Sequence, residues 1–291
     1  MPSTRDIRRR IKSVKNTAQI TKAMQMVAAS KMRKAQQAAL AGRPYASLLN
    51  DVLSALVVGA GDFSHPFVDK RESQKRCVII ISTDKGLCGG LNSVLMREAA
   101  KLPAETTFIT AGRKASQFIA RTKRPLTAEF TYKDVPSFSE ARAISKFAQD
   151  IYLKGEVDRV DILFTKFVST LVQKPEIRPL LPITEIKGVT AGVGAATETP
   201  AGQGTGGEYI FEPDQEHVLG RLLPHSMNFQ VYQILLESKA SEHSARMVAM
   251  KNATDNAKQF IKDLTLEYNK LRQANITKEL LEISSAAMAM G

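Results

Sequence analysis

Two long stretches without glycine or proline, one near each end of the chain, most constrain the fold. The first runs from Ser3 to Ala41 and the second from His225 to Met290. Alanine, lysine, glutamine, methionine and arginine dominate the first stretch, and all five residue types favour helix. At about 1.5 Å per residue, the second stretch would be roughly 100 Å long as one helix. Few compact domains could contain it, so we predict a long helix at each end.

The apolar pattern of the first stretch predicts a helix that packs along one side against another helix. Apolar and small residues recur at steps of four and three, the spacing of a coiled-coil seam. Pro44 is expected to interrupt the helix before an apolar continuation that Gly59 ends. The seam positions are Ile7, Ile11, Val14, Ala18, Thr21, Gln25, Ala28, Met32, Ala35 and Ala39.

The apolar stripe of the second stretch is interrupted by polar residues along its length. The interruptions at Ser238, Ser241, Asn252 and Asn256 are expected if the stripe changes partner along the helix. Near the chain end the spacing of four and three returns, and the last nine residues carry no charged side chain. A helix tip of this kind indicates an external apolar socket. The tip positions are Ile276, Leu280, Ile283, Ala287 and Met290.

Between the two long helices the pattern alternates between strands and helices, which predicts a doubly wound parallel sheet. Strands are predicted at Cys77–Ser82, Thr107–Ala111, Ala128–Thr131 and Val160–Phe164, with helices at Asn92–Lys101, Arg113–Arg121 and Ser137–Leu153. The glycine-rich segment after it, with seven glycines from Gly188 to Gly207, is predicted to be a mobile loop. The predicted class is α/β: a long antiparallel coiled coil of the terminal helices with an inserted Rossmann-like domain. The predicted divisions are 1–58, 75–187, 188–208 and 209–291.

Positive charge is concentrated at the start of the chain. The formal net charge is +12, and residues 1–43 hold 11 lysines and arginines against the single acid Asp6. Such a run is a solvated face, or it meets nucleic acid, anionic lipid or an acidic protein surface. These residues include no aromatic side chain for base stacking, and the helix has an apolar seam, which favours an acidic protein over nucleic acid.

No motif in the sequence predicts catalysis. The turn Ser82–Asn92 is glycine-rich and follows a strand, but its spacing matches no phosphate-binding fingerprint, so a structural turn is favoured over a nucleotide site. The four histidines are far apart and are expected at the surface, as are Asp158 and Asp161. Cys77 and Cys88 lack CxxC spacing, which favours free thiols in a reducing compartment. No stretch is apolar enough to span a bilayer.

Four segments resemble the gamma subunit of F-type ATP synthase. They are Ile20–Ala35, Ser82–Asn92, Arg246–Ala257 and Tyr268–Ile283, in the family's order. Lys85 stands where the family's turn usually has arginine, the loop before Tyr209 is longer than usual, and a cysteine-bearing regulatory insert is absent. The resemblance implies a non-catalytic rotor shaft without cofactors, present once per complex at the cytoplasmic face of a bacterial inner membrane.

The resemblance also implies the contacts of this shaft. Its helices would turn inside a ring of alpha and beta subunits, and the apolar tip would lie in the ring's bearing. The α/β domain would form a foot on the epsilon subunit and the membrane c-ring. The implied ring contacts are Arg8, Arg9, Met24, Lys31, Arg33, Lys34, Arg272 and Gln273, and the implied foot contacts are Tyr209, Phe211 and Glu212.

Overall fold

The computed structural model describes residues 3–59, 65–69, 71, 75–183, 212 and 214–290. The predicted loop at 188–207, and Tyr209 and Phe211, lie outside this range. In the described part the elements are α1 Thr4–Ala41, α2 Arg43–Gly59, β1 Arg76–Ile81, α3 Leu91–Ala100, β2 Thr107–Ala111, α4 Arg113–Arg121, β3 Leu126–Phe130, α5 Phe138–Leu153, β4 Arg159–Phe167, β5 Gln173–Leu181 and α6 Gln215–Met290.

The chain divides into two compact units. One combines Met1–Ala28 with Met247–Gly291, and the other is Ala29–Arg246. In the first unit the start of α1 lies antiparallel to the part of α6 between Thr254 and Tyr268, because Arg8 contacts Tyr268 while the hydroxyls of Thr21 and Thr254 are 2.7 Å apart. The seam predicted on α1 is confirmed, since all ten of its positions are buried or half-buried.

The second unit is built on a five-stranded sheet in the order β3-β2-β1-β4-β5. Strands β1 to β4 are parallel, and β1 lies in the middle, where Ile79 is in register with Ile109 on one side and Ile162 on the other. Residues Cys77 to Ile81 are all buried. The four predicted strands and the doubly wound arrangement are confirmed.

Strand β5 was not predicted from the sequence. It pairs antiparallel with β4 at the sheet edge and contains Pro175 and Pro179. Proline removes a backbone donor, so it argues against a central strand but is tolerated at an edge.

Helices cover both faces of the sheet. On one face Cys77, Ile79 and Ile81 pack in a large core with α2, α5 and the first third of α6. On the other face Val78 and Ile80 pack with α3 and α4. The alternation of side chains along β1 therefore supplies both cores.

The two long helices differ in detail from their prediction. The first ends at Ala41, and Pro44 lies in the first turn of α2, where a missing backbone N–H costs no helical hydrogen bond. Helix α6 begins at Gln215 and continues through Gly220 and Pro224, so it is longer than the stretch without glycine or proline.

Candidate functional site: partner-contact surfaces and the charges beneath them

The predicted ring contacts in the first unit are at or near the surface. Arg8 donates a hydrogen bond to the Tyr268 hydroxyl, and its guanidinium lies 5.4 Å from the centre of that ring. Arg9 is exposed and forms an ion pair with Asp6 at 3.9 Å. Met24 is half-buried. Arg272 and Gln273 are exposed and lie one turn after Tyr268 on α6, so predicted ring contacts of both helices belong to this unit.

The remaining basic contacts lie in the second unit. Arg33 and Lys34 are exposed, and within the described residues neither forms an ion pair. Lys31 instead pairs with Asp134, and its hydrogen bond lowers the pKa of that carboxyl. Arg33 and Lys34 are therefore the freer charges for a partner, while Lys31 is partly neutralised within the chain.

The end of α6 has no packing partner in the described chain. Every side chain from Arg272 to Met288 is exposed. The exposed fractions reach 62% at Leu280, 67% at Ile283 and 82% at Met288. Ile276 and Ala287 are also exposed, and the side chain of Met290 lies outside the description. An isolated helix segment with large exposed apolar residues needs a partner to bury them.

The turn Ser82–Asn92 is fixed by its own side chains. The Asn92 amide donates to Thr83 Oγ1 at 2.7 Å and to Cys88 Sγ at 3.3 Å, while Thr83 Oγ1 donates to the Lys85 carbonyl at 2.8 Å. Gly89 has φ of 61° and Leu87 has φ of 63°, so the turn needs left-handed backbone at two positions. Leu87 is 60% exposed, which leaves one apolar side chain at the surface of a rigid turn.

Charged side chains of α6 join this turn to that helix. Arg246 donates to the carbonyls of Lys85 at 3.4 Å and Gly86 at 3.2 Å, and it forms an ion pair with Glu242 at 2.8 Å. Glu242 also accepts from Lys239 at 2.9 Å. Both members of that second pair are nearly inaccessible, at 2% for Lys239 and 3% for Glu242.

Tyr132 completes this buried cluster. Its hydroxyl donates to the Ser82 carbonyl at 2.9 Å, and its ring centre lies 4.6 Å from the Lys239 ammonium. Burial raises the pKa of Tyr132 well above its usual value, which keeps the phenol protonated as a donor. The cluster therefore connects the carboxyl end of β1 to α6 through Tyr132, Lys239, Glu242 and Arg246.

Two expectations about surface charge were wrong. Asp158 and Asp161 were predicted to face water, but both are buried, and Asp161 is fully inaccessible. Its carboxylate accepts from Arg76 at 2.6 Å and from Arg159 at 3.0 Å, which compensates for the loss of hydration. His243 was expected at the surface and is 2% exposed.

Burial lowers the pKa of His243 to about 4, against the smaller opposing effect of Glu242. Its unfolded form takes up a proton near pH 6.5, whereas the folded form resists it, so stability should fall as pH drops from 6.5 towards 4. Between pH 7 and pH 5 the free energy of unfolding should fall by about 2 kcal/mol less in His243→Gln than in the unaltered chain. Urea unfolding at several pH values measures this.

The matched control for this prediction is His217→Gln, because His217 is exposed. Burial raises the pKa of Glu237, so protonation of that carboxyl favours the folded chain as pH falls. Both variants keep Glu237, so it affects their pH profiles equally. Equal pH profiles for the two glutamine variants would show that His243 does not cause the acid loss.

Cys77 and Cys88 are free, and burial raises the pKa of both thiols, that of Cys77 to about 11. Glu212 is exposed. Among the described residues there is no group of three or more His, Cys, Asp or Glu placed to hold a metal ion. In that same part, none of the helices combines the length and apolarity needed to cross a bilayer.

A long antiparallel helix pair, a doubly wound domain and exposed basic and apolar surfaces define a stalk-type assembly subunit. Comparison with known proteins agrees with this class. The family model described as ATP synthase matches residues 3–290. The ATP synthase gamma chain of Opitutus terrae is 49% identical over 99% of both chains, and that of Methylacidiphilum infernorum is 48% identical over all of both.

Solved structures show the same fold. A chain of the Euglena gracilis mitochondrial ATP synthase matches with a TM-score of 0.68 and 20% identity, covering 99% of this chain and 94% of its own. A chain from the central stalk and c-ring of the Tetrahymena thermophila mitochondrial enzyme matches with a TM-score of 0.59 and 26% identity, covering 80% and 99%. The chain belongs to the gamma-chain family of F-type ATP synthase, the non-catalytic subunits of the central stalk. The family expected from its motifs is confirmed.

Proposed function

We propose that the chain is the rotating shaft that couples proton flow through a membrane c-ring to ATP synthesis or hydrolysis at an alpha/beta ring. The observation that carries this proposal is the end of α6, where all side chains from Arg272 to Met288 are exposed and several are large and apolar. From Ile283 to Met288 this end has no charged residue, which suits an apolar bearing, because uncharged side chains find no fixed ionic partner at any angle.

The proposal assigns a role to each part of the chain. Residues 1–58 and 209–291 form the shaft, and residues 75–187 form the foot that receives torque. The segment 188–208 has no assigned role. Tyr209, Phe211 and Glu212 are proposed to contact the epsilon subunit and the c-ring. One copy would serve each complex, at the cytoplasmic face of a bacterial inner membrane.

The shaft would act by making three identical catalytic sites unequal. A site driven from 1:99 to 99:1 between two conformations requires roughly 5.5 kcal/mol of differential interaction. An exposed salt bridge contributes only about 0 to 1 kcal/mol, so several contacts must act together. The proposed set is Arg8, Arg9, Met24, Lys31, Arg33, Lys34, Arg272 and Gln273.

Torque must also pass from the foot to the shaft. Within the second unit, the cluster of Tyr132, Lys239, Glu242 and Arg246 joins the carboxyl end of β1 to α6. Ser241 adds a hydrogen bond to the Thr165 carbonyl on β4 at 2.9 Å. Buried contacts such as those of Tyr132, Ser241 and the Lys239–Glu242 pair hold a fixed geometry better than exposed ion pairs, which suits a part that transmits force.

The bearing is tested by placing charge on the tip. Leu280→Asp combined with Ile283→Asp should reduce the recovery of a complex with purified alpha and beta subunits by about tenfold or more, because burying a carboxylate in an apolar socket costs several kcal/mol. The measurement is gel filtration of the reconstituted complex, followed by an ATPase assay of the recovered peak. A chain that lacks Lys278–Gly291 reports on loss of the tip without added charge.

The control is Val135→Asp, which changes an apolar residue of the foot that is 64% exposed. It should leave recovery and ATPase activity unchanged. Normal recovery with the charged tip would exclude an apolar bearing, while failure of the unaltered chain to recover alpha and beta subunits would overturn the shaft itself.

A further inference from the structure

Helices α3 and α4 leave a groove on the sheet face opposite to α2, α5 and α6. It has a volume of about 450 Å³ and lies between the two helices. Arg97, Lys114 and Arg121 line it together with Gln117, and its apolar lining includes Met96 and Phe118. The groove is therefore a basic channel with an apolar component.

The three cations of this groove lack acidic partners. No lining residue is acidic, and within the described residues Arg97, Lys114 and Arg121 form no ion pair. The nearby acids are engaged elsewhere: Glu98 pairs with Lys101 at 2.7 Å, and Asp84 accepts from the backbone N–H of Arg113 at 3.0 Å.

Helix α4 strengthens this excess of positive charge, because its sequence RKASQFIAR contains three cations and no acid. Like charges gathered around a concave surface repel one another, and an anionic ligand would remove that cost. The shape and charge of the groove together indicate a binding surface.

We propose that the α3–α4 groove binds an acidic peptide segment of a partner protein. Its carboxylates would pair with Arg97, Lys114 and Arg121, and an apolar side chain between them would pack on Met96 and Phe118. Arginine suits this role because its planar guanidinium can bind a carboxylate through two hydrogen bonds.

A peptide fits this surface better than a membrane or a nucleic acid. A lipid surface is broad and is met by protruding basic residues, whereas this groove is concave. Single-stranded nucleic acid is bound by aromatic platforms for successive bases, whereas Phe118 is the one aromatic residue of the lining and is half-buried. None of the proposed shaft contacts lines this groove, so peptide binding to it does not depend on the shaft being correct.

The test is peptide binding to the full-length chain, measured by fluorescence anisotropy. The probe is a fluorescein-labelled Glu-Glu-Leu-Glu-Glu peptide, and the neutral probe is Gln-Gln-Leu-Gln-Gln. We expect Arg97→Glu combined with Arg121→Glu to weaken binding of the acidic probe about tenfold, since two attractive contacts become repulsive. Gln117→Glu adds one negative charge at the groove with little change in shape, and it should weaken binding of the acidic probe by a few-fold.

The matched control is Arg142→Glu combined with Lys146→Glu, which makes the same charge change at exposed positions of α5. It should alter binding by less than twofold. Equal weakening in both double variants would overturn the proposal, because binding would then follow net charge alone. Tighter groove-dependent binding of phosphatidylglycerol vesicles or of a DNA oligonucleotide would also overturn it in favour of a different class of partner. Circular dichroism and thermal melting confirm that each variant is folded.

Discussion

Replacing Glu242 with glutamine is expected to lower the free energy of unfolding by about 3 kcal/mol, because it breaks a buried ion pair on one side only. The substitution keeps the shape of the side chain but removes its charge. The Lys239 ammonium would then be 2% exposed with its nearest remaining carboxylate, that of Asp134, at 3.9 Å. Arg246 would also lose its ion pair, although it keeps the carbonyls of Lys85 and Gly86.

The control is a variant that removes both charges, Lys239→Met combined with Glu242→Leu. Apolar residues of similar size often replace a buried ion pair at little cost, so this variant should be more stable than Glu242→Gln alone. Urea unfolding of the three proteins provides the measurement. If the double variant is less stable than Glu242→Gln, the buried charge of Lys239 is not the source of the loss.

The double variant also separates the effect of the cluster on stability from its effect on the coupling of ATP hydrolysis to proton pumping. If the cluster transmits torque, the double variant should assemble normally but show weaker linkage between ATP hydrolysis and proton pumping, because Arg246 loses the carboxylate that positions it against the turn. Reconstituted vesicles with a fluorescent pH probe report this ratio directly. An unchanged ratio would leave the cluster a purely stabilising role.

Periodicity predicted the parts of the fold in which one side of an element is buried along its length. The ten seam residues of α1 are an example, because a step of four and three can only serve a continuous contact with another helix. The central strand Arg76–Ile81 is another, since both of its faces are covered and its sequence is apolar from Cys77 to Ile81. Edge strand β5 gave no such signal, because its sequence QKPEIRPLL, with two prolines and three charged residues, fits an irregular segment equally well.

The buried charges could not be predicted from the sequence. Asp161 pairs with the nearby Arg159 and with Arg76, which is distant in the chain. Its position inside the predicted strand Val160–Phe164 does not reveal the distant partner that makes burial of the carboxylate possible. Lys239, Glu242 and His243 lie where the apolar stripe of α6 is interrupted by polar residues, and the sequence does not reveal that the sheet buries this segment. Their burial depends on the position of the β1 turn and of Tyr132, which comes from the tertiary fold.

The candidate contact surfaces also divide into those predicted from local sequence and those that only the tertiary fold reveals. The apolar tip was predicted from uncharged residues at helical spacing, and residues 272–288 are exposed, but the socket itself stays a prediction. The family resemblance selected the individual contact residues on α1 and α6, and their roles remain proposals. The α3–α4 groove had no sequence signal, because Arg97 and Arg121 belong to different helices and only the parallel packing of those helices brings them together.

The junction between β2 and α4 requires glycine at position 112. Gly112 has φ of 104°, and a Cβ added there would lie 2.2 Å from the carbonyl oxygen of Ser82 and 2.8 Å from its carbonyl carbon. We expect Gly112→Ala to lower the free energy of unfolding by about 3 kcal/mol or more, because backbone strain is combined with a clash against backbone atoms. Thermal and urea unfolding of the full chain measure the loss.

The expected effect is large because several hydrogen bonds hold Ser82 in place. Its hydroxyl donates to the Gly112 carbonyl at 3.1 Å and accepts from the Ala115 backbone N–H at 2.9 Å, while its own backbone N–H donates to the Ala111 carbonyl at 2.8 Å. Any shift of Ser82 would also disturb the hydrogen bond from Tyr132 and therefore the cluster that joins the turn to α6.

The control for this prediction is Gly155→Ala. Gly155 also has a positive φ, of 75°, but a Cβ there would meet nothing within 4 Å. This control should cost only about 1 kcal/mol, the strain of the left-handed backbone alone. A similar loss for the two variants would mean that the contact with Ser82 relaxes without cost. The junction between the turn and the sheet would then not be rigid, which would contradict its proposed part in passing torque from the foot to the shaft.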